Sequence, residues 1–283
     1  MPPRKRPPLT KKREQYVDQR AHGVLVGKPL AYPAGVADRY RRELDRMAAQ
    51  MHKAYERELE ALWKELGPDM AQDASLASQA RMALARLQKR FGALFKERAP
   101  AITERMLGGV DKASATGLAA SLKDLSGGIT LKTDVMPAAL RESLKAATYE
   151  NVALIKSIPQ QYHDRIEGAV MRSIQQVGEG RKTIMEEVRR IGGMDERRIK
   201  IIADDQVRKQ TTAANYERAK SLGITKARWL HSSGGVDKRP KHVAFSGKVF
   251  ELDNPPAIGD KGERVLPGQA INCRCTWTPV VEW

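Results

Sequence analysis

Apolar residues recur every three or four positions over two long stretches in the N-terminal half of the chain. From Gly35 this spacing predicts one amphipathic helix, which ends at Gly67 and Pro68. A second helix is predicted to end near Pro100, because proline removes a helical N–H and clashes with the preceding turn. Residues 35–107 are therefore expected to form a long helical hairpin. The apolar positions are Val36, Tyr40, Leu44, Met47, Met51, Tyr55, Leu59, Leu62 and Leu66 in the first helix, and Leu76, Ala80, Leu84, Leu87, Phe91, Leu94 and Phe95 in the second.

The middle of the chain is also predicted to be helical, after one interruption. Residues 108–135 are rich in Gly, Ser, Thr and Ala, which favours a linker or a weak helix. Residues 136–222 return to helical spacing, with prolines and glycines where helices are expected to begin and end. These boundaries are Pro137 and Pro159 as starts, Gly192 and Gly193 as a stop, Asp195 as an N-cap, and Gly223 as the last stop.

The last sixty residues have the pattern of short strands. KARWLH alternates in polarity, GKVFEL follows a Ser-Gly turn, and CTWTPVVEW is predicted to be a final strand. In that strand Pro279 is expected at an edge or an end, and Trp229 and Trp277 are expected to anchor the core. Residues 223–283 are thus predicted to be a small C-terminal domain. The fold class is α+β, with a mostly helical N-terminal and middle region and a small, short-stranded C-terminal α+β domain.

Positive charge is concentrated near the N-terminus. The chain has a formal charge of +16, and residues 1–53 hold 13 Lys or Arg against five acidic residues, a surplus of eight. Four prolines among the first eight residues make residues 1–34 a basic, flexible arm by prediction. Clustered charge favours nucleic acid as partner over simple solubility. The candidate DNA contacts are Arg4, Lys5, Arg6, Lys11, Lys12 and Arg13.

Two cysteines and one histidine are the candidate metal ligands. Cys273 and Cys275 are the only cysteines, which excludes a disulfide framework, and on a strand their side chains share a face about 7 Å apart. Together with His242 they offer the soft donors of a tetrahedral zinc site. One alternative is that both thiols are buried apolar groups while His242 bonds a loop carbonyl. Another is a strained Cys273–Cys275 disulfide.

The order of motifs in the tail resembles the C-terminal domain of phage Mu F-like (MuF) minor head proteins. The chain has TTAANYERAKSLGI, then ARWLHSSGGVDKRPKH, SGKVFEL, a Pro/Gly loop with LPG, and INCRCTWTPVV. Such domains show an Asn-bearing helix leading to a Gly, a Trp strand, Asp-x-Arg-x-x-His, a Gly-Lys turn and an Asn-Cys-Arg-Cys ending. The matching positions are Asn215, Gly223, Trp229, Asp237, Arg239, His242, Gly247, Lys248, Asn272, Cys273, Arg274 and Cys275.

This resemblance implies a structural protein of the phage head. It implies few copies per procapsid, at the portal and inner face of the head, with a role in head assembly and in packaging or ejection of DNA. The partners it implies are the portal protein, the major capsid or scaffold protein, and packaged double-stranded DNA. The implied location is the virion, after synthesis in the host cytoplasm.

Two other functions stay open at the level of the sequence. One is a metal-dependent nuclease or toxin-like enzyme that uses His242, Cys273 and Cys275, and the other is a plain DNA-binding protein. A nuclease normally needs further metal ligands and an activated water, so no enzyme is expected, and neither is a small-molecule substrate. Asp237 and Arg239 are expected to hold the turn between strands by an ion pair or hydrogen bonds. No apolar run has the length of a membrane span, so no membrane partner is expected.

Overall fold

The computed structural model of the chain describes residues 24–66, 74–123, 132–175, 181–232 and 238–282. Its contacts divide the chain into two compact units. Among the described residues, the helical unit comprises 33–66, 74–110, 142–175 and 181–210, and the sheet unit comprises 24–32, 111–123, 132–141, 211–232 and 238–282. The six candidate DNA contacts of the arm lie outside the described residues, as does Asp237.

Four long helices and one short helix account for most of the described chain. They are α1 (Ala34–Leu66), α2 (Ala74–Leu122), α3 (Ala138–Gln175), α4 (Arg181–Ser221) and α5 (Pro240–Phe245). The strands are β1 (Val24–Val26), β2 (Lys226–Leu230), β3 (Val249–Glu251) and β4 (Thr276–Glu282). The mostly helical α+β class predicted from the sequence is confirmed. Within the residues described, no helix combines the length and the apolar character that a membrane span needs.

The predicted apolar stripe of α1 is buried in the core of the helical unit. Every stripe position from Val36 to Leu62 has 9% or less of its surface exposed. Polar groups are buried among them in pairs: the Tyr40 hydroxyl donates to Oδ1 of Asn151 at 3.2 Å, and Nε2 of His52 lies 3.1 Å from Oδ2 of Asp195. Buried polar groups require such partners, so these bonds restrict how the helices can pack.

Two prolines that were predicted to mark helix boundaries lie inside helices. Helix α2 continues through Pro100 to Leu122, so residues 108–122 are helical and do not belong to a linker. Pro100 is exposed, which lets water hydrate the carbonyl that loses its helical partner. Pro159 likewise lies inside α3 and does not open a new helix. In both cases the helix continues on either side of the proline.

The predicted stop at Gly192 and Gly193 is also wrong, because α4 runs through both residues. Gly192 lies beside the imidazole ring of His52, and a Cβ there would be 3.4 Å from Nδ1, an ordinary van der Waals distance. Asp195 is therefore not an N-cap. It is a buried residue in the helix interior, held by His52.

The sheet unit contains one antiparallel four-stranded sheet in the order β1-β4-β2-β3. Its first strand corrects the prediction that the whole of residues 1–34 is a flexible arm. Val24 to Val26 pair with Glu282 to Val280 of β4. Beyond β1 the chain continues along β4, where the Leu30 N–H donates to the Trp277 carbonyl at 3.0 Å. Apolar Val24, Leu25 and Val26 give this segment strand propensity.

Pro279 lies in β4, a central strand, where an edge or end position was predicted. The Pro279 carbonyl accepts from the N–H of Gly27, just past the end of β1. Because both backbone groups of a strand residue point to the same side, an N–H at position 279 would also have pointed toward Gly27. A Cβ at Gly27 would lie 2.9 Å from Cγ of Pro279 and 2.5 Å from Oγ of Ser121. The proline is thus accommodated because a glycine faces its ring where the β1 pairing has ended.

The core of the sheet unit combines the sheet with the ends of two helices. Trp229 and Trp277, which pair across β2 and β4, are 0% and 1% exposed, so the prediction that they are core anchors is confirmed. Their neighbours in this core are Leu30, Leu118, Leu122, Ala219, Ile224, Ala227, Phe250, Leu252, Val265, Leu266, Cys273 and Cys275. The two candidate metal-binding thiols are therefore part of a hydrophobic core.

Candidate metal centre

Helix α5 positions His242. Pro240 occupies the first turn, where its fixed φ suits a helix start and its missing N–H costs nothing. Seven residues later the chain reverses at Gly247, whose φ of +84° places it in the left-handed region that favours glycine. The Gly247 N–H donates to the Trp229 carbonyl at 2.8 Å, which joins the turn to β2. This short helix and turn direct His242 into the core, where it is 1% exposed.

The turn before β4 positions the two cysteines. Asn272 has a φ of +57°, a conformation that asparagine tolerates better than most residues. The Cys273 N–H then donates to the Ala270 carbonyl at 2.9 Å. Cys273 and Cys275 are buried while the intervening Arg274 is exposed, as expected for alternating side chains. The turn therefore sends both thiols to the same side.

The three side chains converge on one point. Nδ1 of His242 lies 3.5 Å from Sγ of Cys273 and 3.7 Å from Sγ of Cys275. All three potential ligand atoms lie within 4.8 Å of one another, and both cysteines are free thiols. The Trp229 indole meets the imidazole edge to face, with ring centroids 5.0 Å apart, and fixes its plane. In the described part of the chain Nε2 of His242 has no hydrogen-bond partner, so this ring does not bond a loop carbonyl.

The two thiols titrate as a pair. The pKa of Cys273 is lowered to about 5, first because the Cys275 thiol donates to its sulfur, then because the N–H groups of Cys275 and Gly268 donate to it. The pKa of Cys275 is raised, first by the same bond to Cys273 and then by burial. Since the pair shares a proton, one thiolate forms readily and the second is held protonated unless another cation replaces that proton.

Arg239 anchors the long loop between β3 and β4. Its Nε and Nη2 bind the two carboxylate oxygens of Asp260 at 2.7 and 3.0 Å, and Nη2 also donates to the Ile271 carbonyl at 3.0 Å. This bidentate bond raises the pKa of Arg239 and lowers that of Asp260. Arg239 thus joins the start of α5 to the loop two residues before Cys273.

A second anchor holds the loop from the side of α4. The Thr212 hydroxyl donates to the Pro267 carbonyl at 2.8 Å. The next residue, Gly268, has a φ of +85°, and a Cβ there would lie 2.8 Å from Oγ1 of Thr212. Glycine is therefore needed to bring this N–H to the Cys273 sulfur.

The structure brings together most of the residues that the sequence selects in the tail. His242, Cys273 and Cys275 form the cluster, Trp229 packs on it, and Arg239, Gly247 and Asn272 hold the segments that carry it. Arg274 points away and is exposed. Sequence reasoning missed Asp260, Thr212 and Gly268, because hydrogen-bond partners within an irregular loop leave no periodic signal.

The cluster has the chemistry of a soft metal site and is poorly placed for direct attack on a substrate. Two sulfurs and one imidazole nitrogen form a donor set typical of zinc. No Asp, Glu or further His among the described residues joins the group. The sulfurs are buried, 3% and 8% exposed by residue, so a large substrate such as DNA cannot reach them in this conformation.

Comparison with known proteins connects this part of the chain to a phage family. Residues 164–278 match the model of the family described as Phage Mu protein F like protein, and they include His242, Cys273 and Cys275. An uncharacterized protein of Haemophilus influenzae is 35% identical over 145 residues, which cover 50% of this chain and 30% of that protein. No solved structure matches. Residues 164–278 therefore form a phage Mu F-like region, which confirms the resemblance drawn from the motifs of the tail.

Proposed function

We propose that the protein is a minor head protein of a tailed phage, which acts in head morphogenesis at the portal and the inner face of the head. The observation that carries this proposal is the Mu F-like region at residues 164–278, since this family indicates a phage protein of head morphogenesis. The aligned part is less than a third of the Haemophilus relative, so the rest of that protein supplies no argument.

The architecture suits a protein that binds other virion components. Helices of 33 to 49 residues offer long surfaces beyond what their own cores use. Exposed large apolar side chains occur on them at Met82, Tyr149 and Ile201. The portal protein and the major capsid or scaffold protein are the partners we propose for these surfaces. Burial of the thiol–imidazole cluster supports this role over a nuclease or toxin-like enzyme.

The presence of the protein in heads tests this proposal. Particles from cells that produce the phage are separated into procapsids, filled heads and host proteins on a density gradient, and the chain is quantified against the portal protein by mass spectrometry. We expect it in procapsids at a few copies per portal. Recovery of the folded chain in host fractions alone would refute the proposal and favour a plain DNA-binding protein.

The basic arm is proposed to neutralise packaged double-stranded DNA. Replacing Arg4, Lys5, Arg6, Lys11, Lys12 and Arg13 by Gln removes up to six phosphate contacts, and each contact contributes about −0.9 to the slope of log affinity against log salt. We expect weaker DNA binding and a slope flatter by up to about 5. The control replaces three exposed bases of α2, Arg81, Lys89 and Lys96, by Gln. Equal slopes for the arm variant and the unaltered chain would contradict an arm that binds DNA.

The enzymatic alternative has its own test. Plasmid DNA is incubated with the purified full chain and with a His242→Ala variant, in buffers with and without zinc or magnesium. We expect no cleavage by either protein. Cleavage that survives purification and disappears in the variant would replace the structural role with a catalytic one.

A further inference from the structure

We propose that His242, Cys273 and Cys275 bind one zinc ion, through Nδ1 and the two Sγ atoms, and that this ion fastens the loop of residues 252–275 to α5. The inference concerns the sheet unit alone, so it stands or fails independently of the role in phage heads. Zinc is the ion assigned because it prefers tetrahedral sites built from thiolate and imidazole ligands.

The two distances from Nδ1 of His242 to the sulfurs agree with a tetrahedral zinc centre. Zn–S and Zn–N bonds of about 2.3 and 2.0–2.1 Å at a tetrahedral angle place sulfur and nitrogen about 3.6 Å apart. The observed distances from Nδ1 to the two sulfurs, 3.5 and 3.7 Å, lie on either side of this value. A pair of ordinary hydrogen bonds explains the geometry less well, because Nδ1 has either one lone pair or one N–H, according to the tautomer, and so makes one such bond. Both sulfurs nevertheless approach the same nitrogen.

The groups around the sulfurs suit thiolates. Sγ of Cys273 receives the backbone N–H groups of Cys275 and Gly268, and Sγ of Cys275 receives that of Ser232. Backbone donors directed at sulfur stabilise negative charge, as second-shell groups do around bound metals. The guanidinium of Arg239 adds a positive charge nearby. Two buried thiols that acted only as small apolar side chains would not need three such donors.

The ion would join two segments that are distant in sequence. Cys273 lies 31 residues after His242, and the chain between β3 and β4 forms no helix or strand. Loops of this length require anchors to be ordered. Arg239 with Asp260 and Thr212 with Pro267 provide two of them. A metal bound to His242 would provide a third anchor for the loop, at the point where the loop enters β4. With three protein ligands, one coordination position of the metal remains for a water molecule.

Metal analysis and cobalt substitution of the full chain test this proposal. The protein is purified without chelator, its zinc content is measured by mass spectrometry, and the chelated protein is titrated with Co²⁺ under reducing conditions. We expect about one zinc per chain, sulfur-to-cobalt charge-transfer absorption of the size that two thiolates give, and a melting temperature that falls by roughly 10 °C in chelator. A folded chain with less than a tenth of an equivalent of zinc and no such absorption would overturn the proposal.

Variants assign the site to these three side chains. Cys273→Ser is expected to lower the zinc content at least tenfold and to halve the cobalt charge-transfer band, and His242→Asn is expected to lower zinc similarly. His231→Gln is the matched control, because His231 belongs to the same unit and is not part of the cluster. Full zinc in a folded Cys273→Ser variant would refute the assignment. If both ligand variants fail to fold, the cobalt titration of the unaltered chain still decides whether two thiolates bind the metal.

Discussion

Arg218 and Asp111 form a buried ion pair. Removing one partner is expected to destabilise the protein much more than removing the other. In α4, Arg218 is 2% exposed, and its Nη2 lies 2.5 Å from Oδ1 of Asp111 in α2, whose side chain is 25% exposed. Burial lowers the pKa of the Arg218 guanidinium, while Asp111 and Asp134 oppose that change. Nε and Nη1 of Arg218 have no partner among the described residues. The arginine therefore depends on nearby carboxylates for its buried charge.

The loss in the free energy of unfolding depends on which of the two charged groups remains after the substitution. Removing one partner of a buried ion pair costs about 3–5 kcal/mol, because it leaves an uncompensated charge in the interior. Asp111 is partly hydrated and Asp134 remains, so Asp111→Ala is expected to lower the free energy of unfolding by about 2–3 kcal/mol. Arg218→Met keeps the apolar stem and leaves a carboxylate that water can reach, so it is expected to cost about 1 kcal/mol or less.

Urea unfolding followed by tryptophan fluorescence measures this difference. Trp229 and Trp277 are buried in the same unit as the pair, so their emission follows its unfolding. The double variant, Asp111→Ala with Arg218→Met, should be about as stable as Arg218→Met alone, because the aspartate has nothing left to neutralise. If Arg218→Met is the more damaging single change, or the double variant shows the sum of both costs, the reasoning about buried charge is wrong.

Other predictions concern backbone fit and core packing. Gly268→Ala should destabilise by about 2–3 kcal/mol in urea, because its Cβ would press on Oγ1 of Thr212, whereas Gly262→Ala has a similar φ with open space and should cost only about 1 kcal/mol. Equal costs would show that the close contact is irrelevant. Gly27→Ala should speed hydrogen exchange of the Leu30 amide, as its Cβ would meet Ser121 and the ring of Pro279; unchanged exchange would contradict this. Trp229→Ala should lower the free energy of unfolding by about 3–5 kcal/mol, and a loss below 1 kcal/mol would exclude a central packing role.

The sequence predicts those parts of the fold in which apolar residues recur at a regular spacing. The stripe of α1 from Val36 to Leu62 is buried as expected, because helical spacing alone decides which face meets a core. Predicted helix boundaries are wrong where tertiary contacts outweigh the local tendency of glycine and proline to end a helix. Gly192 has the character of a stop, yet α4 continues through it, and Pro100 lies exposed inside α2, which continues on either side of it.

The sequence predicts the candidate metal ligands, but it does not predict the residues that hold the surrounding loop in place. His242, Cys273 and Cys275 are rare residue types, so a short search of the tail finds them. Asp260 and Thr212 are common residues within ordinary surroundings, and only the folded loop shows that they hold it. Strand β1 was missed for a related reason. Three residues give little periodicity, and their partner lies at the other end of the chain.

The pairing of Val24–Val26 with β4 has a consequence for biosynthesis. Because these strands are separated by about 250 residues, the sheet cannot close until β4 has left the ribosome. Domains generally fold as they emerge, N-terminal parts first, so α1 and its partners have time to collapse while β1 waits. During that interval an apolar β segment is exposed next to the basic N-terminus. Its lysines and arginines can act there as gatekeepers, since like charges keep nascent copies apart until the last strand arrives.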